Sequence, residues 1–263
     1  MSPVHIVRRV ASPGRVAMLA TALLASQIPA LPAVSAQDSR AVPLPGAGIA
    51  LAPGRYQSDL VGPVIDFEVG EGWVVGTSGP GPIFTLELAD TPGAVLSVTR
   101  FDGQTYTDSC DPTSMTDVDP SADRLAAIIA GDPYFNVAPA KPVEVSGFAG
   151  QSLDLSVPPY TECKLQYLLI WALPVGDGGE FVQVAFQQSR FVMLDVDGTT
   201  VVIAMETFPG VPFGPMLDAS MALLSTMQIT PGSGPGATPS AEPTAEPTPP
   251  ATPPPTPEPI ERN

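Results

Sequence analysis

From residue 51 to residue 230 apolar side chains keep returning at every second position, a period that only an extended chain can turn into a continuous buried face. In Val64-Ile65-Asp66-Phe67-Glu68-Val69, Ile65, Phe67 and Val69 fall on one side of such a chain, and Asp66 and Glu68 on the other. Leu153-Asp154-Leu155-Ser156-Val157 repeats the scheme. The same pattern predicts strands over residues 72–75, 83–88, 95–100, 181–187, 191–196 and 200–206. Asp197-Gly198, between the last two, predicts a tight hairpin, because glycine adopts positive φ without a Cβ clash. Strands that bury one face and wet the other favour antiparallel pairing.

The period switches twice to a helical one. Asp119 is placed to cap a helix with Pro120 at its first position; Leu125, Ile128 and Ile129 form the apolar stripe, and Gly131 with Pro133 supplies the stop. A second helix is predicted over residues 215–227, with Leu217, Met221 and Leu224 on one face. Blocks of strands separated by single helices predict an α+β fold, a mainly antiparallel sheet covered by the two helices, rather than a doubly wound parallel one. Residues 51–230 suffice for one such domain with a buried core.

The flanks read differently. Residues 1–36 carry Arg8, Arg9 and Arg15, an apolar run from Val16 to Leu24 and the small-residue stretch Ala33-Val34-Ser35-Ala36. Positive start, short apolar centre and small residues at the cut describe a bacterial-type secretory signal peptide, removed on export, with no membrane span left after processing. Residues 37–50 form a short flexible lead-in. Residues 231–263 hold 12 of the 34 prolines and write Ala-Glu-Pro-Thr twice, so they are expected to be a disordered, proline-rich spacer reaching roughly 100 Å at about 3.1 Å per residue. No sorting motif of the LPxTG type marks it for a wall anchor.

Cys110 and Cys163 are the only cysteines. In an exported chain such a pair predicts a disulfide, worth roughly 4 kcal/mol in the chain-entropy picture for a loop of this length. A reactive thiol is the alternative. Asp108 and Asp111 beside Cys110 argue against it, since negative charge disfavours the thiolate.

Chemistry is bounded by what is missing. The single histidine, His5, lies in the leader, so the exported protein would have no imidazole to move protons, ligate a metal or activate a nucleophile. No G-x-S-x-G elbow is present, and neither lysine, Lys141 or Lys164, follows S-x-x-K. Gly46-Ala47-Gly48 and Gly79-Pro80-Gly81 lack the remaining parts of a phosphate cradle and read as turns. The chain carries 11 basic against 27 acidic residues, and export removes three of the basic ones. Such a polyanion is repelled by nucleic-acid backbones and anionic lipid, and attracts cations or basic partners.

Carboxylates remain as possible working groups. The pairs Asp66 with Glu68 and Asp195 with Asp197, and the acidic loop Asp108, Asp111, Asp117, Asp119 and Asp123, are weighed as acid pairs or oxygen ligands for calcium; turn formation, helix capping and a solvated face account for the same positions. The loop residues Asp108, Asp111, Asp117 and Asp119 are the metal candidates, but no cofactor is assigned. Trp73 and Trp171 are the ligand-binding candidates if they line a groove with Tyr56, Tyr106 or Tyr160, and core residues otherwise.

A resemblance spans most of residues 51–230. Pro53-Gly54-Arg55-Tyr56 with Ser58, the run Phe67 to Trp73, Val143 to Gly150, Leu194 to Ile203 and the final amphipathic helix together resemble a group of uncharacterised exported bacterial proteins. The order of elements is also similar to the Mog1/PsbP-like α/β/α sandwich. That resemblance implies an accessory or binding role and transfers no site residue. The expectation is a secreted, disulfide-stapled, non-catalytic binding or accessory module with an extracellular or envelope partner. The alternatives are a histidine-free, carboxylate-based hydrolase acting for instance on glycans, or a passive structural part of the envelope.

Overall fold

The computed structural model describes residues 40–77, 81–158, 163, 165–174 and 179–232. The expected leader, the spacer beyond residue 232, Tyr160 and Lys164 lie outside them. The first half of the chain forms β1 (Val42–Pro43), β2 (Gly54–Ser58), β3 (Val64–Val69), β4 (Trp73–Val75), β5 (Ile83–Leu88), β6 (Ala94–Phe101), β7 (Gln104–Tyr106), β8 (Met115–Asp117) and helix α1 (Ala122–Gly131). There follow β9 (Asn136–Val137), β10 (Lys141–Val145), β11 (Phe148–Ser156), β12 (Leu168–Leu173), β13 (Gly179–Gln183), β14 (Gln188–Val196) and β15 (Thr199–Thr207). Helix α2 (Phe213–Leu224) and β16 (Gln228–Thr230) complete the described fold.

These strands make three sheets among the described residues. A central sheet of eight runs β10-β11-β14-β15-β6-β5-β4, with β9 added beside β11; two sheets of four run β1-β2-β3-β16 and β13-β12-β7-β8. Pairing is antiparallel apart from β1 on β2. The Asp197-Gly198 hairpin forms as expected, with φ of 48° and 78° at its two residues and Val196 opposite Thr199. Residues 42–50, read from sequence as a lead-in, also pair: Val42 lies opposite Tyr56, and Val75 N–H donates to the Ile49 carbonyl.

The α+β expectation is corrected by this architecture: the fold is mostly β, with 47% of the described residues in strands and 12% in helices. The reason is one of width. Seven strands abreast at about 4.8 Å span roughly 30 Å, whereas a helix of 12 residues is about 18 Å long. Neither α1, of 10 residues, nor α2, of 12, can cover a face of the central sheet alone. Each shares that task with one of the four-stranded sheets.

The central sheet therefore separates two cores, and alternation along β15 feeds both. Val201, Ile203 and Met205 enter the first core with Ile65, Phe67 and Val69 of β3 and Met216 and Leu223 of α2. Val202 and Ala204 enter the second with Leu125 and Ile129 of α1 and Trp171 and Phe181 from β12 and β13. Trp171 stacks on Phe181 at 4.1 Å between ring centres and meets Phe191 edge-on at 5.8 Å.

Two helix details depart from the sequence reading. The N-cap of α1 is Ser121, not Asp119, and the Ala122 N–H donates to Asp195 Oδ1 at 2.7 Å, so β14 supplies part of the cap. In α2 the buried residues are Met216, Ser220, Leu223 and Leu224, while Met221 is 41% exposed. Several apolar residues in this helix allow more than one stripe to be drawn, and the position of β3 and β15 selects among them.

Candidate functional site

On β15 the second-core side reads Val202, Ala204, Glu206, so a carboxyl occupies the position where alternation would place another apolar side chain. Glu206 is 6% exposed. Its company is polar: Ser97 on β6, Ser189 directly opposite on β14, Gln183 at the end of β13 and Gln187 just before β14 are all buried. Gln183 and Gln187 both donate their amide N–H to Glu206 Oε1, the second at 2.9 Å. Ser189 Oγ donates to Gln183 Oε1 at 2.7 Å, and the Val184 N–H donates to Gln187 Oε1 at 2.9 Å. Each amide is thus oriented from both ends.

Burial dominates the ionisation of this carboxyl, pushing it from 4.5 up to about 7 against the hydrogen bonds from Gln183 and Ser97, which favour the charged form. An acid that is half ionised near neutrality, in a water-poor setting, has an incentive to recruit a positive or donating group.

A cleft of about 340 Å³ opens beside the cluster, between the edge strand β13 and strand β5. Ile83, Leu173, Val184 and Phe208 form its apolar walls, and Thr85, Gln187 and Glu206 its polar floor. Phe208 is 45% exposed at the mouth. Thr85, 7% exposed, carries a buried hydroxyl with no hydrogen-bond partner among the described residues. Gly76 lies against it: a Cβ there would overlap Thr85 Oγ1 and stand 2.7 Å from Glu87 Oε1, so this close approach requires glycine.

Glu180 lies on the rim, where its Oε1 accepts the Tyr106 hydroxyl at 3.0 Å. Burial, then that bond, then the charge of Glu180, push the Tyr106 phenol up to about 12. Two carboxyl side chains thus line one cleft, and among the described residues no basic one does. A more open concavity of about 480 Å³ also has charged residues, Asp154 and Arg190, but the guanidinium is taken up by Asp154 at 2.5 and 2.8 Å. A third, of about 260 Å³, lies among Leu44, Gln57, Leu60 and Phe84.

The residues singled out from sequence are placed elsewhere. Cys110 and Cys163 form a disulfide, Cα to Cα 5.2 Å, tying the β7–β8 loop to the segment before β12. Asp108 Oδ1 accepts the Cys110 N–H at 2.8 Å, and Asp111 Oδ1 accepts the Thr113 N–H and hydroxyl at 2.8 and 2.7 Å, which holds the Asp111 carboxyl below its ordinary range. Asp117 accepts Gln104 Nε2 at 3.3 Å, and the Asp119 carbonyl receives the Ser121 N–H. Among the described residues no three or more His, Cys, Asp or Glu side chains gather in a way that could hold a metal ion. Asp66 is paired with Arg55 at 2.8 Å and Asp195 serves α1. Trp73 and Trp171 are 4% and 0% exposed and belong to the first and second core. Glu206 and Glu180 were not singled out by sequence. The available signal, for Glu206 alone, was an acid directly following the apolar run Val201 to Met205 within one strand.

No protein-family model and no curated protein matches the chain. Among solved structures it is similar to a protein of Bacteroides thetaiotaomicron, with 8% identity, a TM-score of 0.34, and coverage of 62% of this chain and 44% of that one. It is also similar to LpqN of Mycobacterium tuberculosis, described as involved in cell envelope biogenesis, with 15% identity, a TM-score of 0.36, and coverage of 69% and 93%. Both are bacterial proteins, and the chain spans less than half the length of the first. At these TM-scores neither likeness assigns a fold family or an activity. No helix among the described residues is long and apolar enough to cross a membrane.

Proposed function

We propose that the protein is an exported, non-catalytic binding or accessory module of the bacterial envelope, with its ligand taken up in the cleft beside Glu206. The carrying observation is that this cleft combines apolar walls with a buried, unpartnered hydroxyl on Thr85 and a mostly desolvated carboxyl. The Cys110–Cys163 bridge supports an oxidising compartment, in keeping with residues 1–36 as the leader. Residues 231–263 act as a spacer that holds the folded part away from its point of attachment or its partner.

The test is amide-resolved NMR of the exported protein against a library of small polar-apolar compounds. Shifts concentrated at Thr85, Val184, Gln187 and Phe208 are expected. Shifts gathered elsewhere, or a full-length product that keeps residues 1–36 and stays in the cytoplasm, would overturn the reading. One observation favours a second reading, a carboxylate-based hydrolase: Glu180 and Glu206 open on the same cleft from unequal environments, as an acid and its partner would. Turnover of chromogenic glycosides that disappears in Glu206→Gln would establish it in place of the binder.

A further inference from the structure

Charge, shape and spacing in this cleft go further than the presence of a ligand. Among the described residues the ionisable groups on its surface, Glu206 and Glu180, are both acids and none is basic, and the chain as a whole carries a net charge of −16. A carboxylate or phosphate entering it would meet like charge in a site partly stripped of water, where repulsion is strong. A neutral ligand would leave Glu206 uncompensated whenever it ionises. An ammonium group supplies the opposite charge and up to three N–H donors.

The second anchor sets a length. Thr85 and Glu206 lie on the same face of the central sheet, on β5 and β15, with only β6 between them. Two strand spacings across, combined with a two-residue step along β15, put them about 12 Å apart. The row Thr85, Ser97, Ala204, fixed by the pairing of Thr85 with Ser97 and of Ser97 with Ala204, floors the cleft from Thr85 to a point two residues short of Glu206 on β15. Ile83, Leu173 and Phe208 can enclose an apolar body lying across that row.

The geometry points to a small organic cation as the ligand: a protonated amine paired with Glu206, an apolar or aromatic body between the walls, and a polar group at the far end meeting the Thr85 hydroxyl. This inference rests on the cleft being the ligand site, as proposed above. Tyramine has these three parts at that spacing and serves as the probe. Tyrosol replaces its ammonium by a hydroxyl, 4-hydroxyphenylpropionate replaces it by a carboxylate, and phenethylamine lacks the phenol oxygen.

The four compounds are titrated calorimetrically into the exported, disulfide-bonded protein, with amide shifts followed in parallel. Tyramine is expected to bind at least tenfold more tightly than tyrosol or the carboxylate, and several-fold more tightly than phenethylamine. Glu206→Gln should weaken tyramine at least tenfold while leaving tyrosol unchanged. Thr85→Val should remove the difference between tyramine and phenethylamine. The comparison among probes on the unaltered protein needs no variant to fold. If tyrosol or the carboxylate binds as well as tyramine at the cleft amides, the cationic ligand class is overturned and the ligand site stands. If none of the four shifts the cleft amides at millimolar concentration, both are overturned.

Discussion

Replacing Glu206 by glutamine changes one charge and almost no volume, which makes it a direct probe of the buried carboxyl. In the folded protein that group ionises at about 7, against an ordinary value of 4.5, because burial penalises the carboxylate. A raised carboxyl favours the folded state while protonated. Its contribution is therefore complete below about pH 4.5 and is lost as pH rises through about 7. At about 1.4 kcal/mol per pH unit, the interval between the two values corresponds to a loss of about 3 kcal/mol by pH 8. Glutamine has no such dependence, yet its Oε1 still accepts from Gln183 and Gln187. Urea unfolding of the two proteins, disulfide intact, should give free-energy differences that move by about 3 kcal/mol in favour of Glu206→Gln between pH 4 and pH 8. Trp171 emission and far-ultraviolet circular dichroism would follow the transition. A difference that stays flat over that range, or drifts the other way, would refute the claim that burial governs this group.

Gly76→Ala forces Thr85 and Glu87 away from the lip of the cleft and should cost about 1–3 kcal/mol in thermal or urea unfolding, with part of the loss recovered when Thr85→Ala is added. Cys110→Ser combined with Cys163→Ser should lower stability by roughly 2–4 kcal/mol, read from the shift in urea midpoint at constant slope; an unchanged midpoint would deny the bridge a stabilising role. Asp195→Ala removes the acceptor for the Ala122 N–H and should cost about 1 kcal/mol, with faster amide exchange confined to the first turn of α1.

Much of the central sheet was legible because its strands announce themselves locally. Residues 83–88 form a strand at the expected boundaries, and β14 and β15 meet at the expected hairpin, since alternation and Asp197-Gly198 act within a few residues. The covering sheets were not legible in the same way. β7, β8 and β16 have three residues each, too few to display a period, and Leu168–Leu173 is apolar throughout, a run that periodicity cannot tell from a buried helix segment. The α+β expectation followed from that blindness, for residues 64–69 show their alternation as a strand but not their membership of a separate covering sheet.

The candidate site shows the same division. Acidic loops drew attention as dense clusters of carboxylates, yet Asp108 and Asp111 spend their oxygens on their own turns. Glu206 is a single acid in a largely apolar strand; its hydrogen-bond partners Gln183 and Gln187 come from the β13–β14 turn, and Thr85, which shares its cleft, comes from β5, more than a hundred residues away.

By itself the sequence determined which segments extend, where they turn, which two sulfurs are present to pair and that His5 is the single histidine. Those properties depend on neighbours a few residues apart or on composition alone. Only the tertiary structure decided what covers each face of the central sheet, which stripe of α2 is buried and which acid is stripped of water. Burial and pairing are set by residues brought together across more than a hundred positions, and no local pattern along the chain encodes them.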